Sequence, residues 1–202
     1  MLIILEYGIG NIASISNMLK KIGVPAKISG DPAEVEQAEK LILPGVGHFD
    51  HCMNELRKAP FFDVLQKKVL TGKTPVLGVC VGHQMLFDKS EEGGAAGLGW
   101  IPGNVIKFKP EQMPAGYKIP HMAWTDVQPQ PGAALFEGIE EPRFYFVHSY
   151  YTMCSPEYMQ ATAKYGVEFV AAVKKDNIYG VQFHPEKSHK FGMSIYRNFG
   201  NI

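Results

Sequence analysis

Three short runs in the first eighty residues are almost wholly apolar: residues 2–5 (LIIL), 40–43 (KLIL) and 75–79 (PVLGV). A strand with no polar alternation has to be covered on both faces, and strands separated by helices pair in parallel. Helical patterns do separate them. Ile12, Ile15, Leu19 and Ile22 recur at helical spacing. Residues 31–34 (DPAE) place an acid at an N-cap, a proline at the first helical position and a glutamate at N3. Residues 49–71 hold one or two helices broken near Pro60. After Gly93 the rhythm changes. Glycine and proline punctuate residues 93–132 around short extended pieces such as NVIKF, and then RFYFVHSYY, YMQATAK, FVAAVKK and IYGVQFH read as strands with tight connections, one of them the turn KKDN. A last helix starts at Ser188. The expectation is an α/β fold in one domain, residues 1–202: a mostly parallel sheet flanked by helices, with additional antiparallel strands in the C-terminal half.

The third apolar run leads into the stretch LGVCVGHQMLF (residues 77–87), where a helical pattern replaces the strand. Cys80 thus falls on the strand-to-helix turn at the carboxyl edge of the sheet, the edge where open α/β sheets bind ligands. Gly78 and Gly82 flank it in a G-x-C-x-G pattern, the thiol counterpart of a hydrolase nucleophile elbow. A free thiol is only a few per cent ionised at neutral pH; a helix N-terminus and a nearby imidazole lower its pKa. The N–H of Val81 points toward any oxyanion formed beside the sulfur. Against this stands the reading of Cys80 as a small buried hydrophobe. A base decides between the two. It appears in GVQFHPEKS: Pro185 biases His184 toward an extended backbone, so His184 and Glu186 project to one face and the carboxylate orients the ring.

Composition narrows the partners. Twenty acids balance twenty lysines and arginines, so there is no basic stripe for phosphates and nucleic acid is not expected as a ligand. The start, MLIILEYGIG, lacks a cationic leader, and no run approaches the ~18 apolar residues of a membrane span. Three widely spaced cysteines, Cys52, Cys80 and Cys154, fit a reducing compartment, hence a cytoplasmic protein with free thiols.

In order along the chain, GVCVGHQ and FHPEKS resemble the class I (triad) glutamine amidotransferases, a flavodoxin-like family. YGIGN, LPGVGHF, SEEG, GLGWIPG, PHMAW and YFVHSYY bring the likeness to its histidine-pathway glutaminase subunits or a close paralogue. The resemblance implies that Cys80 attacks the side-chain amide of glutamine, that His184 protonates the departing ammonia, and that Glu186 orients His184. It implies an oxyanion hole from Gly45, Val46, Gly47 and Val81, and a glutamine pocket from Gln84, Glu92, His148, Ser149 and Tyr150. Glu92 also makes independent sense, because a buried α-ammonium needs an anion beside it. No cofactor is implied. The implied partner is a (β/α)8-barrel synthase forming a heterodimer, with Asn11, Trp124, Tyr145 and Lys187 on the interface or gating side. Pro44 and Gly45 give LPGVG a backbone able to flip one peptide and remove one oxyanion donor.

The pattern departs from the family at three places. The family's HMGWN is HMAWT here (Ala123, Thr125), its GxCLGMQ is GVCVGHQ (Val81, His83), and the ending SHKFGM is closer to paralogues that supply ammonia for amidination of surface sugars. Two other classes stay open: another thiol hydrolase on the same fold, and a catalytically silent binding subunit. His48, His51 and Cys52 have a metal-like spacing without a convincing fourth ligand, so no metal site is expected.

Overall fold

The computed structural model describes residues 1–202. The chain runs β1 (Leu2–Leu5), α1 (Ile12–Lys21), β2 (Ala26–Ser29), α2 (Pro32–Glu36), β3 (Lys40–Gly45), α3 (Phe49–Lys58), α4 (Phe62–Leu70), β4 (Val76–Cys80) and α5 (Val81–Gln84). It continues through β5 (Lys89–Ser90), β6 (Gly103–Lys107), β7 (His121–Pro129), β8 (Arg143–His148), β9 (Tyr150–Cys154), β10 (Met159–Tyr165), β11 (Val167–Lys175) and β12 (Ile178–Val181) to α6 (His189–Asn201). Nine strands form one sheet in the order β2-β1-β3-β4-β12-β11-β10-β7-β8. The half from β2 to β12 is parallel, and the half from β12 to β8 is antiparallel. The expected antiparallel strands therefore extend the parallel sheet itself. A second sheet, β5-β6-β9, shares no strand pairing with it but lies against it through β9 and β11.

Every residue of β1, β4 and β12 is buried, as strands covered on both faces require. Helix α2 starts as its sequence predicts: Asp31 accepts from the N–H groups of Ala33 and Glu34 at 2.7 and 3.3 Å. Glu34 does not complete a capping box; it pairs instead with Lys27 on β2 at 2.5 Å, where a full charge competes with a backbone N–H.

Two stretches depart from the sequence reading. The run RFYFVHSYY is two strands, β8 and β9, split at Ser149 and assigned to different sheets. Burial alternates through β8 and breaks at Ser149 and Tyr150, both half-buried, where the chain changes sheets. Helix α5 is one turn, and residues 121–129, which the sequence does not mark as a strand, form β7. No helix is long and apolar enough to cross a membrane.

Candidate active site

Strand register assembles the site. Gly45 at the end of β3 is the register partner of Cys80 at the end of β4, and Val79 pairs with Val181 at the end of β12. The residues leaving β3, β4 and β12, namely PGVG, Cys80 and the segment to His184, therefore meet at one carboxyl edge.

Cys80 adopts φ 56°, ψ −112°, a conformation that costs a non-glycine residue about 1–3 kcal/mol and persists where surroundings enforce it. Those surroundings are glycines. A Cβ on Gly82 would stand 2.0 Å from the Leu43 carbonyl, one on Gly45 2.3 Å from the Gly82 nitrogen, and one on Gly78 2.6 Å from the Gly82 oxygen. Val81 opens α5, so its N–H has no acceptor within the helix. Neither Val46 nor Gly47 donates its N–H to another backbone carbonyl.

His184 is extended at φ −101°, ψ 96°, as Pro185 predicts, but residues 185–187 then form a 3-10 turn. The turn, rather than two-residue alternation on a strand, brings Glu186 Oε1 to 2.9 Å from His184 Nδ1. Ser188 latches this segment: its hydroxyl donates to the His184 carbonyl at 2.6 Å and accepts from the Tyr145 N–H at 3.0 Å. Its only sequence signal was as a helix start. Burial alone would lower the pKa of His184, but the Cys80 sulfur and Glu186 outweigh it and hold the imidazole at about 10. That direction favours the imidazolium, the form able to give up a proton. Glu186→Gln removes part of that support, and the alkaline fall of kcat/KM for glutamine hydrolysis is expected to move to lower pH. An unmoved limb in a pH–rate profile would show that Glu186 does not tune His184.

A cavity of about 350 Å³ lies over Cys80 and His184, and Val46, Gly47, Val81, Gln84, Glu92, His148, Ser149, Tyr150 and Lys187 also line it. That volume suits a small metabolite. Pro120 and Val147 line it as well, without a distinguishing sequence signal. Gly45 packs behind α5. Glu92 accepts from the N–H of Phe49 at the start of α3, 2.9 Å away, which fixes the carboxylate at a helix N-terminus. Asp50 accepts from Gly94 and Ala95 and holds the loop that carries Glu92. Those bonds, Ala95's first, lower the pKa of Asp50. Both hydrogens of the Gln84 amide are used, by Tyr150 O at 3.1 Å and Gln182 Oε1 at 3.0 Å, which leaves its oxygen for a ligand. Both ring nitrogens of His148 are bonded inside the protein.

Lys187 Nζ lies 5.9 Å above the Tyr145 ring, and Tyr145 meets Trp124 edge-on at 6.2 Å. These three form one cluster beside the pocket, with His189 stacked on Trp124. Asn11 is elsewhere: its side chain leaves α1 uncapped and donates to Glu186 Oε1 at 3.5 Å. His48 caps α3 through Nδ1, His51 is exposed, and the Cys52 thiol donates to the Val46 carbonyl at 3.2 Å. His83 is a neutral core residue against Thr152, its pKa lowered to about 3 by burial.

Fold and pocket together define an open-sheet α/β protein equipped for cysteine-nucleophile chemistry. The family described as glutamine amidotransferase class-I matches over residues 3–201, and the chain belongs to it. It is 50% identical over 201 residues to a Pseudomonas aeruginosa protein named imidazole glycerol phosphate synthase subunit HisH 2, covering 98% of each chain. It is 47% identical over 204 residues to a Bdellovibrio bacteriovorus protein named imidazole glycerol phosphate synthase subunit HisH, covering 100% of both. A solved glutamine amidotransferase superposes with a TM-score of 0.74 at 19% identity, covering 99% of each chain, and shows the shared fold.

Proposed function

We propose that residues 1–202 form one glutaminase domain, the subunit that hydrolyses L-glutamine and passes ammonia to a (β/α)8-barrel partner making imidazole glycerol phosphate in histidine biosynthesis. The observation that carries the reading is the His184–Glu186 pair at 2.9 Å facing Cys80 in one cavity. Cys80 Sγ, its proton passed to His184 Nε2, attacks the side-chain amide carbon, and the oxyanion is met by N–H groups of Val81 and of the 45–47 segment. As the carbon–nitrogen bond breaks, His184 Nε2 gives its proton to the nitrogen and ammonia leaves. Water then attacks the thioester while His184 takes its proton; sulfur departs and glutamate is released. Glu186 keeps the Nδ1–H in place through both halves. Glu92 neutralises the α-ammonium, and Gln84 with the backbone of His148, Ser149 and Tyr150 shapes the rest of the pocket.

Ammonia is almost wholly ammonium in neutral water, which favours a sequestered transfer within a stable heterodimer. Trp124, Tyr145 and Lys187, with the exposed side chain of Met122 nearby, suit that docking face. Asn11 reaches the triad and would report on the partner through Glu186. A cytoplasmic location and small-molecule chemistry fit the neutral charge.

The departures at Ala123 and Thr125, and His189 stacked on Trp124 at 5.5 Å, favour a second reading. In it the barrel partner directs ammonia to amidination of a nucleotide-linked sugar. Co-purification followed by glutamine-dependent assays with each acceptor separates the two. Glutamine hydrolysis is expected to rise when the occupied partner is present, because restoring one oxyanion donor is worth about 100–1,000-fold. Equal turnover with and without the partner would refute the gate, and product from neither acceptor would remove the synthase assignment.

A further inference from the structure

Ser149 is the single residue between β8 and β9, where the chain passes from one sheet to the other, and it lines the pocket beside Cys80. A continuous strand ladder cannot span this break. A chain of side-chain hydrogen bonds does. Thr125 Oγ1 lies 2.8 Å from His121 Nε2, His121 Nδ1 lies 2.9 Å from His148 Nε2, and His148 Nδ1 lies 2.7 Å from the Tyr150 carbonyl.

The proton on each bond follows from its last acceptor. A carbonyl oxygen can only accept, so His148 carries its hydrogen on Nδ1. The neutral ring then offers a lone pair at Nε2, and His121 donates to it from Nδ1. His121 Nε2 is left as an acceptor, and the Thr125 hydroxyl donates. Both rings are neutral: burial lowers His148 to about 3, with His121 adding to the effect, and lowers His121 to about 4. Neither ring is free to turn over. His121 is stacked between Phe146 at 5.1 Å and Tyr165 at 3.9 Å, and His148 packs on Phe169 at 5.0 Å. The far end matters because the same Tyr150 carbonyl accepts from Gln84, another pocket residue.

We propose that Thr125 and His121 are positioning residues of the glutamine pocket, which act through His148 to fix the Tyr150 carbonyl and the backbone of Ser149 and Tyr150. The role rests on the glutaminase reading. Thr125 is one of the departures from the family motif, and this gives its hydroxyl a task.

The test uses the full-length chain with Thr125→Val, which keeps the shape and loses the donor, and Thr125→Ser, which keeps the donor. Glutamine hydrolysis and nitrogen NMR of the histidine rings at neutral pH are measured on all three proteins. Both histidines are expected as Nδ1–H tautomers in the native chain. Thr125→Val is expected to raise KM for glutamine about tenfold with kcat within about twofold, and to weaken the His148 Nδ1–H signal; Thr125→Ser should retain native values. An Nε2–H tautomer at His148, an unchanged KM in Thr125→Val, or equal losses in both variants would overturn the proposal. A native chain that leaves glutamine intact even with its occupied partner present would strike the glutaminase reading, and the tautomers would still decide the direction of the hydrogen-bond chain.

Discussion

Cys80→Ala is expected to abolish glutamine hydrolysis, a loss on the order of 10⁵-fold or more, because the acyl group of the proposed cycle is carried on that sulfur. No other thiol replaces it. Burial pushes Cys52 up to about 12 and Cys154 up to about 11, so neither forms a useful thiolate at neutral pH, and neither stands on an elbow. The fold should survive. The Cys80 sulfur makes one weak hydrogen bond to backbone, to the Val147 carbonyl at 4.0 Å, its other polar neighbour is His184, and alanine bears the same positive-φ strain as cysteine. Thermal denaturation is therefore expected to change by only a few degrees, and a complex supplied with external ammonia should still form product. Glutaminase activity persisting in pure Cys80→Ala protein would sink the nucleophile assignment. Lost ammonia-dependent synthesis would show that the substitution damaged more than the thiol.

The parallel half of the sheet was legible because LIIL, KLIL and PVLGV have no polar face, a pattern that admits few alternatives. Cys80 was legible as an elbow because glycines at 78 and 82 leave room for backbone and little else. The change of sheet at Ser149 was not, since alternation marks a strand and says nothing about its neighbours. Strand β7 was hidden for a related reason: half of it faces outward and its residues, such as Asp126 and Gln128, are polar. The His184–Glu186 contact was anticipated through a different geometry from the 3-10 turn that makes it. Ser188, His121 and Thr125 had no signal as positioning groups, because their roles depend on Tyr145, His148 and Tyr150, brought near by long-range pairing.

Gly82→Ala should do structural and chemical damage together. The added Cβ would lie 2.0 Å from the Leu43 carbonyl and 3.1 Å from the Pro44 carbonyl carbon, both backbone atoms without a rotamer to retreat into. Either α5 lifts off β3 or β3 shifts away. Both movements alter the spacing between Cys80, the Val81 N–H and the 45–47 segment. Overpacking against backbone is expected to cost about 3 kcal/mol, read as a lower urea midpoint. Activity should fall at least about 100-fold even in protein that remains folded, because an oxyanion donor displaced by an ångström is in effect lost. Gly94→Ala is the control. Its Cβ would meet nothing within 4 Å, and its φ is not in the left-handed region, so stability should stay within about 0.5 kcal/mol. A Gly82→Ala protein with native midpoint and native turnover would mean that the glycine interlock does not hold the elbow, and that Cys80 keeps its conformation by other contacts.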